Sequence, residues 1–94
     1  MLQANPADSF LQHALALEYL KLGEEDEATN LFKNVLREDE NYVGSYYQLG
    51  KLLEQQDQID EAKSVYEKGM LKAKEAGDQH AYNELRAAYE ELIY

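Results

Sequence analysis

Few side chains of this sequence stand at the spacings that metal binding requires. Histidine occurs twice, at His13 and His80, and neither residue has a cluster of further ligands near it in the sequence. Cysteine is absent, which excludes a disulfide framework and a thiolate zinc site. We therefore expect no metal centre, and surface or groove positions are the better interpretation of both histidines.

Two segments have part of the pattern of an ion-binding loop. The segment from Gly44 to Lys51 has five residues between its glycines, no Ser or Thr after the lysine and no preceding strand, so it fails as a phosphate loop. The acidic run from Glu24 to Glu27 lacks the alternating ligands around a central glycine that calcium needs. It is typical instead of a helix N-terminus, where negative charge suits the helix dipole.

The sequence has no pattern of catalytic residues. Ser9, Ser45 and Ser64 have neither a nucleophile-elbow context nor an evident base, and the carboxylates are spread along solvated helical faces. We therefore expect no catalytic residue, no cofactor and no enzymatic activity.

Composition limits the size of the fold and the class of partner. The 94 residues are enough for one small domain, and 45% hydrophobic with 30% charged residues is typical of a globular chain. A net charge of -10 disfavours nucleic acids and anionic membranes, which are polyanions that require a basic surface. No signal-like segment opens the chain at Met1 and no apolar run reaches about 18 residues, so we expect a cytoplasmic protein, unless the sequence is a piece of a longer one.

Apolar periodicity predicts five helices and hence an all-α fold. One proline and five glycines leave long uninterrupted segments rich in helix-forming residues. Asp8 is expected to cap the first helix, Gly23 to end it, and Gly77 with Asp78 to separate the last two. The predicted helices are residues 8–22, 25–38, 42–56, 59–76 and 79–92.

The chain contains an internal repeat with a period of thirty-four residues. The shift places Ala16 on Gly50 and Phe32 on Tyr66. Further matched positions are Leu15 on Leu49, Tyr19 on Leu53, and Asp26-Glu27-Ala28 on Asp60-Glu61-Ala62. Small residues are expected where paired helices approach closely, and the aromatic residues fill the space beside them.

This repeat resembles the tetratricopeptide repeat, whose pattern is W-x₂-L-G-x₂-Y, then A-x₃-F, then P. The first copy departs from it at Gln12, and the closing proline positions hold Glu40 and Lys74. The segment Asn5-Pro6-Ala7-Asp8 is similar to the end of a preceding repeat. The resemblance implies an α-solenoid of two antiparallel helix-turn-helix repeats, at about residues 9–42 and 43–76, with a capping helix at about residues 78–93.

The last helix is expected to close the array. It does not continue the repeat pattern, but it has one apolar stripe at helical spacing, opposite a polar side. The stripe consists of Ala81, Tyr82, Leu85, Ala88, Tyr89 and Leu92.

The first helix is apolar on nearly all sides. One side, with Leu11, Leu15, Ala16, Tyr19 and Leu22, is expected to pack against the second helix. The resemblance implies that the other side lines a concave groove for a peptide, together with the third and fifth helices. The implied groove residues are Phe10, His13, Leu17, Leu20 and Lys21 in the first copy, and Tyr47, Lys51, Glu54 and Gln55 in the second.

The sequence therefore predicts an adaptor or scaffold that binds a protein or peptide. Its acidic surface mildly favours a basic or mixed-charge partner with apolar anchors. Two alternatives remain: a homo-oligomerisation module, in which a second copy covers the apolar first helix, and a structural segment of a longer repeat protein. The partner itself is not predicted.

Overall fold

The computed structural model describes the backbone of residues 6–94 and the side chains of residues 9–94. Within that range the chain forms five α-helices and no strand, which confirms the all-α prediction. Each boundary lies within two residues of its predicted position. The helices are α1 (Pro6–Lys21), α2 (Glu25–Glu38), α3 (Gly44–Gln55), α4 (Ile59–Ala76) and α5 (Gln79–Ile93).

The start of α1 differs from the prediction. The helix begins at Pro6, so Asp8 lies inside the first turn and not at the capping position. Proline suits the first turn of a helix because its missing N–H has no partner to lose there. Asn5, the first residue of the segment that resembles the end of a preceding repeat, lies outside the described residues.

The turn between α4 and α5 is built as predicted. Gly77 adopts a left-handed conformation with φ of 72°, and the N–H of Asp78 donates to the carbonyl of Ala73 at 2.8 Å. The Asp78 carboxylate accepts a hydrogen bond from the N–H of Ala81 at 3.0 Å and so caps α5. Gly23, after α1, is also left-handed, with φ of 80°.

The helices form two layers. α1 packs against α2 and α3 against α4, while contacts between α2 and α3 join the two hairpins. The shortest dimension of the molecule is 19 Å, which corresponds to two helices of about 10 Å each. α5 packs on α4 and touches α3, and its predicted stripe is confirmed: Leu85 and Ala88 are buried and its other members pack against the core.

The tightest approach within the second hairpin joins α3 and α4 at Gly50 and Tyr66. A Cβ at Gly50 would lie 2.2 Å from a ring carbon of Tyr66, which is completely buried. Only a hydrogen at this position leaves room for the ring. Ala16 and Phe32, the equivalent residues of the first copy, are also completely buried, as are Ala28 and Ala62.

A second close approach was not predicted from the sequence. A Cβ at Gly69 would lie 2.6 Å from the Cβ of Tyr46, so α4 can pack here only because it has no side chain. The equivalent residues in the first copy are Val35 and Gln12. The second copy thus has the larger residue, Tyr46, on its first helix and the smaller one, Gly69, on its second helix.

We predict that Gly50→Ala destabilises the domain. The added methyl group overlaps the Tyr66 ring, which costs about 1–3 kcal/mol, against a gain of about 1 kcal/mol in helix propensity. The net loss is up to about 2 kcal/mol, and it is measured as a shift of the urea unfolding midpoint.

Gly44→Ala provides the control in the same helix. Its added Cβ would lie 3.7 Å from His13, an ordinary contact, so the midpoint should stay or rise slightly. Equal effects of the two substitutions would contradict the packing account.

Candidate functional site

The orientation predicted for three leucines of α1 is wrong. Leu11, Leu15 and Leu22 were expected to pack against α2, but their side chains are 61%, 48% and 73% exposed. Leu11 and Leu15 lie on one side of α1, about 40° apart at 100° per residue, and Leu22, the residue after α1, continues the same side. Leu49, the second-copy equivalent of Leu15, is 4% exposed, because α3 has the α1–α2 hairpin beside it. Among the described residues, α1 packs mainly against α2.

Leu17 and Leu20, predicted as groove residues, help to form the core. Both are half-buried and pack against the buried cluster of the two hairpins. They therefore present only part of their surface to a partner. Charged substitutions at these positions would disturb folding as well as binding.

His13 connects the two hairpins. Its Nδ1 hydrogen-bonds to the hydroxyl of Ser45 on α3 at 2.8 Å. Its ring centroid lies 5.4 Å from that of Phe32 and 5.1 Å from that of Tyr42. Burial lowers the pKa of His13 below its ordinary value of 6.5, because the charged imidazole loses hydration. The residue is half-buried and already has partners, so its role in this structure is to join α1 to α3.

Three of the predicted groove residues on α3 lie together. The ammonium group of Lys51 is 5.9 Å from the centroid of the Tyr47 ring and 3.9 Å from the carboxylate of Glu54. The hydroxyl of Tyr66 donates a hydrogen bond to Glu54. Burial and then this hydrogen bond raise the pKa of Tyr66 well above its ordinary value. We call Tyr47, Lys51 and Glu54 the α3 cluster.

The remaining predicted residues lie apart from this cluster. Phe10 is 59% exposed, Gln55 is exposed, and the ammonium group of Lys21 pairs with Glu18 at 3.3 Å. Among the described side chains, no hydrogen bond or ion pair joins these three residues to the α3 cluster. They extend the accessible surface of α1 and α3 without forming one compact site.

The sequence patterns that were set aside for chemistry have structural roles here. Residues from Gly44 to Lys51 lie within α3, so no loop is present to surround a phosphate. Among the side chains that the structure describes, those of residues 9–94, no group of three or more His, Asp or Glu is placed to hold a metal ion. No helix within residues 6–94 has the length and apolarity needed to cross a membrane.

The comparisons with known proteins agree with the repeat pattern and the helix arrangement. A family model described as tetratricopeptide repeat matches residues 19–89. The chain belongs to the tetratricopeptide repeat family. Members of this family generally mediate protein–protein interactions, and their fold is a non-catalytic repeat scaffold.

Two solved structures resemble this tetratricopeptide repeat domain closely. The crystal structure of a tetratricopeptide repeat domain protein from Salinibacter ruber is 39% identical, with a TM-score of 0.88, over 90% of this chain and 94% of that one. A solution NMR structure of a tetratricopeptide repeat domain protein from the same organism is 39% identical, with a TM-score of 0.87, over 95% and 90%. Among curated proteins, the comparison gives no significant match.

We predict that His13 makes the stability of the domain depend on pH in the mildly acidic range. Its folded-state pKa is lowered, so its stabilising contribution is complete above pH 6.5 and is lost as the pH falls through the folded value. The free energy of unfolding is measured with urea at about pH 7.5 and about pH 5.5. It should fall less between the two pH values for His13→Gln than for the unchanged chain.

The control for this prediction is His80→Gln. The side chain of His80 is 85% exposed beside Glu84, so this variant should keep the pH dependence of the unchanged chain. An NMR titration that places the His13 pKa above 6.5 would contradict the prediction.

Proposed function

We propose that this domain is a non-enzymatic adaptor that binds a peptide or protein segment on the surface formed by α1, α3 and α5, which we call the inner surface. The proposed division of the single domain is repeat one at about residues 9–42, repeat two at about 43–76, and a capping helix at about 78–93. The observation that carries the proposal is the α3 cluster, where an aromatic ring, an ammonium group and a carboxylate are only partly buried and lie side by side. Such a surface offers both stacking and polar contacts.

The expected ligand has an apolar anchor and basic or mixed charge. Phe10 supports an apolar contact because more than half of its surface is exposed. The net charge of -10 attracts cationic segments over a distance and raises their encounter rate. Nucleic acids and anionic membranes are not proposed as partners, because the same charge repels them.

The test uses peptides selected from a displayed random library against the unchanged domain. Phe10→Ala and Tyr47→Ala should each weaken the selected peptides about tenfold, as expected when an aromatic anchor is truncated. Binding is measured by fluorescence anisotropy, and circular dichroism checks that each variant is still helical. Affinity for basic peptides should fall as salt is added.

Leu71→Ala is the matched control. Leu71 lies on α4 and is 54% exposed, close to the 59% of Phe10, so the two truncations remove apolar surface of similar exposure. It should change affinity less than about twofold. If the peptides bind Phe10→Ala and Tyr47→Ala as tightly as they bind the unchanged domain, the inner surface is not their binding site.

A specific observation also favours self-association as a second candidate function. Leu11 and Leu15 on α1 and Leu22 directly after it form an exposed apolar stripe, which we call the α1 stripe. Its second-copy equivalents on α3 lie against the first hairpin, where Ser45 and Leu49 are buried. On α3, the equivalent surface packs against another hairpin. The exposed surface of α1 is suited to the same kind of contact. A second copy of the chain or further repeats of a longer protein would cover it, and each leucine buried contributes about 1.5–3 kcal/mol.

We predict that, if a second copy covers the α1 stripe, Leu15→Glu with Leu22→Glu makes the chain monomeric. Two charges in an apolar interface would lose their hydration without gaining partners. Light scattering coupled to size exclusion measures the mass, and Leu71→Glu, which places one such charge on the exposed surface of α4, should leave the oligomer intact. A chain that stays monomeric at about 1 mM would rule out self-association of practical strength.

A further inference from the structure

A cavity of about 380 Å³ opens between α2 and α4, on the side of α3 opposite the α3 cluster. Such a volume is within the range of small-ligand and side-chain pockets. Its floor is made of buried and half-buried apolar side chains, and its rim is made of exposed polar ones. The floor residues are Leu36, Tyr46, Leu49 and Val65, and the rim residues are Lys33, Arg37, Glu61, Ser64 and Lys68.

The charge of this rim is opposite to that of the whole chain. The chain has nine basic and nineteen acidic residues, whereas the rim has three basic residues and one acidic residue, Glu61. One third of all basic residues therefore surround a single opening. An approaching carboxylate therefore meets a local attraction at this rim.

The cations of the rim already hold carboxylates from the domain itself. Lys33 pairs with Glu61 at 3.3 Å, and Lys68 pairs with Glu40 at 3.5 Å. The side chains of both pairs are roughly half exposed, so each pair contributes little to stability and exchanges readily with another carboxylate.

Arg37 differs from the two lysines. Its guanidinium donates a hydrogen bond to the side-chain oxygen of Asn34, and none of the ion pairs among the described residues includes it. A guanidinium has five N–H donors in a planar fork that matches a carboxylate. Arg37 can therefore accept a carboxylate ligand without breaking an ion pair of the fold.

We propose that this cavity binds an acidic peptide segment with one aliphatic or aromatic anchor. The anchor side chain contacts Leu36 and Val65 on the floor, and a neighbouring carboxylate of the peptide pairs with Arg37, supported by Lys33 and Lys68. The site takes ligands of the opposite charge to those expected at the inner surface, and it lies on the other side of α3. Its success or failure is therefore independent of the function proposed above.

The experiment uses an end-capped synthetic peptide, Glu-Leu-Glu-Phe-Glu, labelled for fluorescence anisotropy. We expect it to bind the unchanged domain with a Kd of about 10–100 μM and to weaken as salt is added. The same peptide with glutamine in place of each glutamate should bind at least about tenfold more weakly, as should one with alanine in place of leucine and phenylalanine.

Two pairs of variants locate the site. Arg37→Gln should weaken the acidic peptide at least about fivefold, while Lys74→Gln, which changes the net charge equally away from the cavity, should not. Ser64→Trp should block the opening and weaken binding by a similar factor, while Asn83→Trp, on the exposed side of α5, should not. Tyr47→Ala should bind the acidic peptide normally, which separates this site from the inner surface.

Four results would overturn the proposal. The first three are absence of binding by the acidic peptide at about 1 mM, equal binding of the glutamine peptide, and unchanged affinity in both Arg37→Gln and Ser64→Trp. Displacement of the acidic peptide by an equal concentration of inorganic phosphate would also overturn it, because the cavity would then be a general anion site without preference for an apolar anchor.

Discussion

The fold depends on how closely the two helices of each hairpin approach. Completely buried aromatic rings, Phe32 and Tyr66, lie where the opposite helix has a small residue, and at Gly50 a single added carbon would overlap the ring. The Tyr66 hydroxyl then reaches Glu54, one turn further along α3, and so ties this close contact to the α3 cluster. Packing inside the second hairpin thus helps to set the position of a candidate binding surface.

The two copies share this packing but differ in what lies beside them. α3 has a hairpin on its N-terminal side, so Leu49 is buried, whereas Leu15 at the same repeat position is largely accessible. The difference comes from position in the array and not from residue type. A hairpin in a stacked array covers only part of its own surface. α1, the first helix in the described part of the chain, therefore has an apolar side that its own hairpin cannot cover.

The surfaces on the two sides of α3 differ in charge. On one side, the α3 cluster belongs to a domain whose net charge is -10. On the other side, the α2–α4 cavity collects Lys33, Arg37 and Lys68 around an apolar floor. Net charge alone describes the long-range attraction, but short-range recognition is decided by which side chains the helices bring together.

The sequence alone determined the helices, their order and the small and aromatic residues at the Gly50–Tyr66 contact and its first-copy equivalent. These features follow from short-range physics: periodicity, left-handed glycines such as Gly77, and the pairing of small with aromatic residues at a thirty-four-residue interval. The resemblance to the tetratricopeptide repeat implied that Tyr47, Lys51 and Glu54 line one groove, and the structure places the three side chains together on α3, where residues three or four apart share one side of the helix. Only the tertiary structure decided which side of α1 is covered, that His13 joins α1 to α3, and that basic residues from α2 and α4 meet around one cavity. Those features depend on distances between helices far apart in the sequence, and a nearly uniformly apolar helix such as α1 has no periodic signal that distinguishes its covered side from its accessible one.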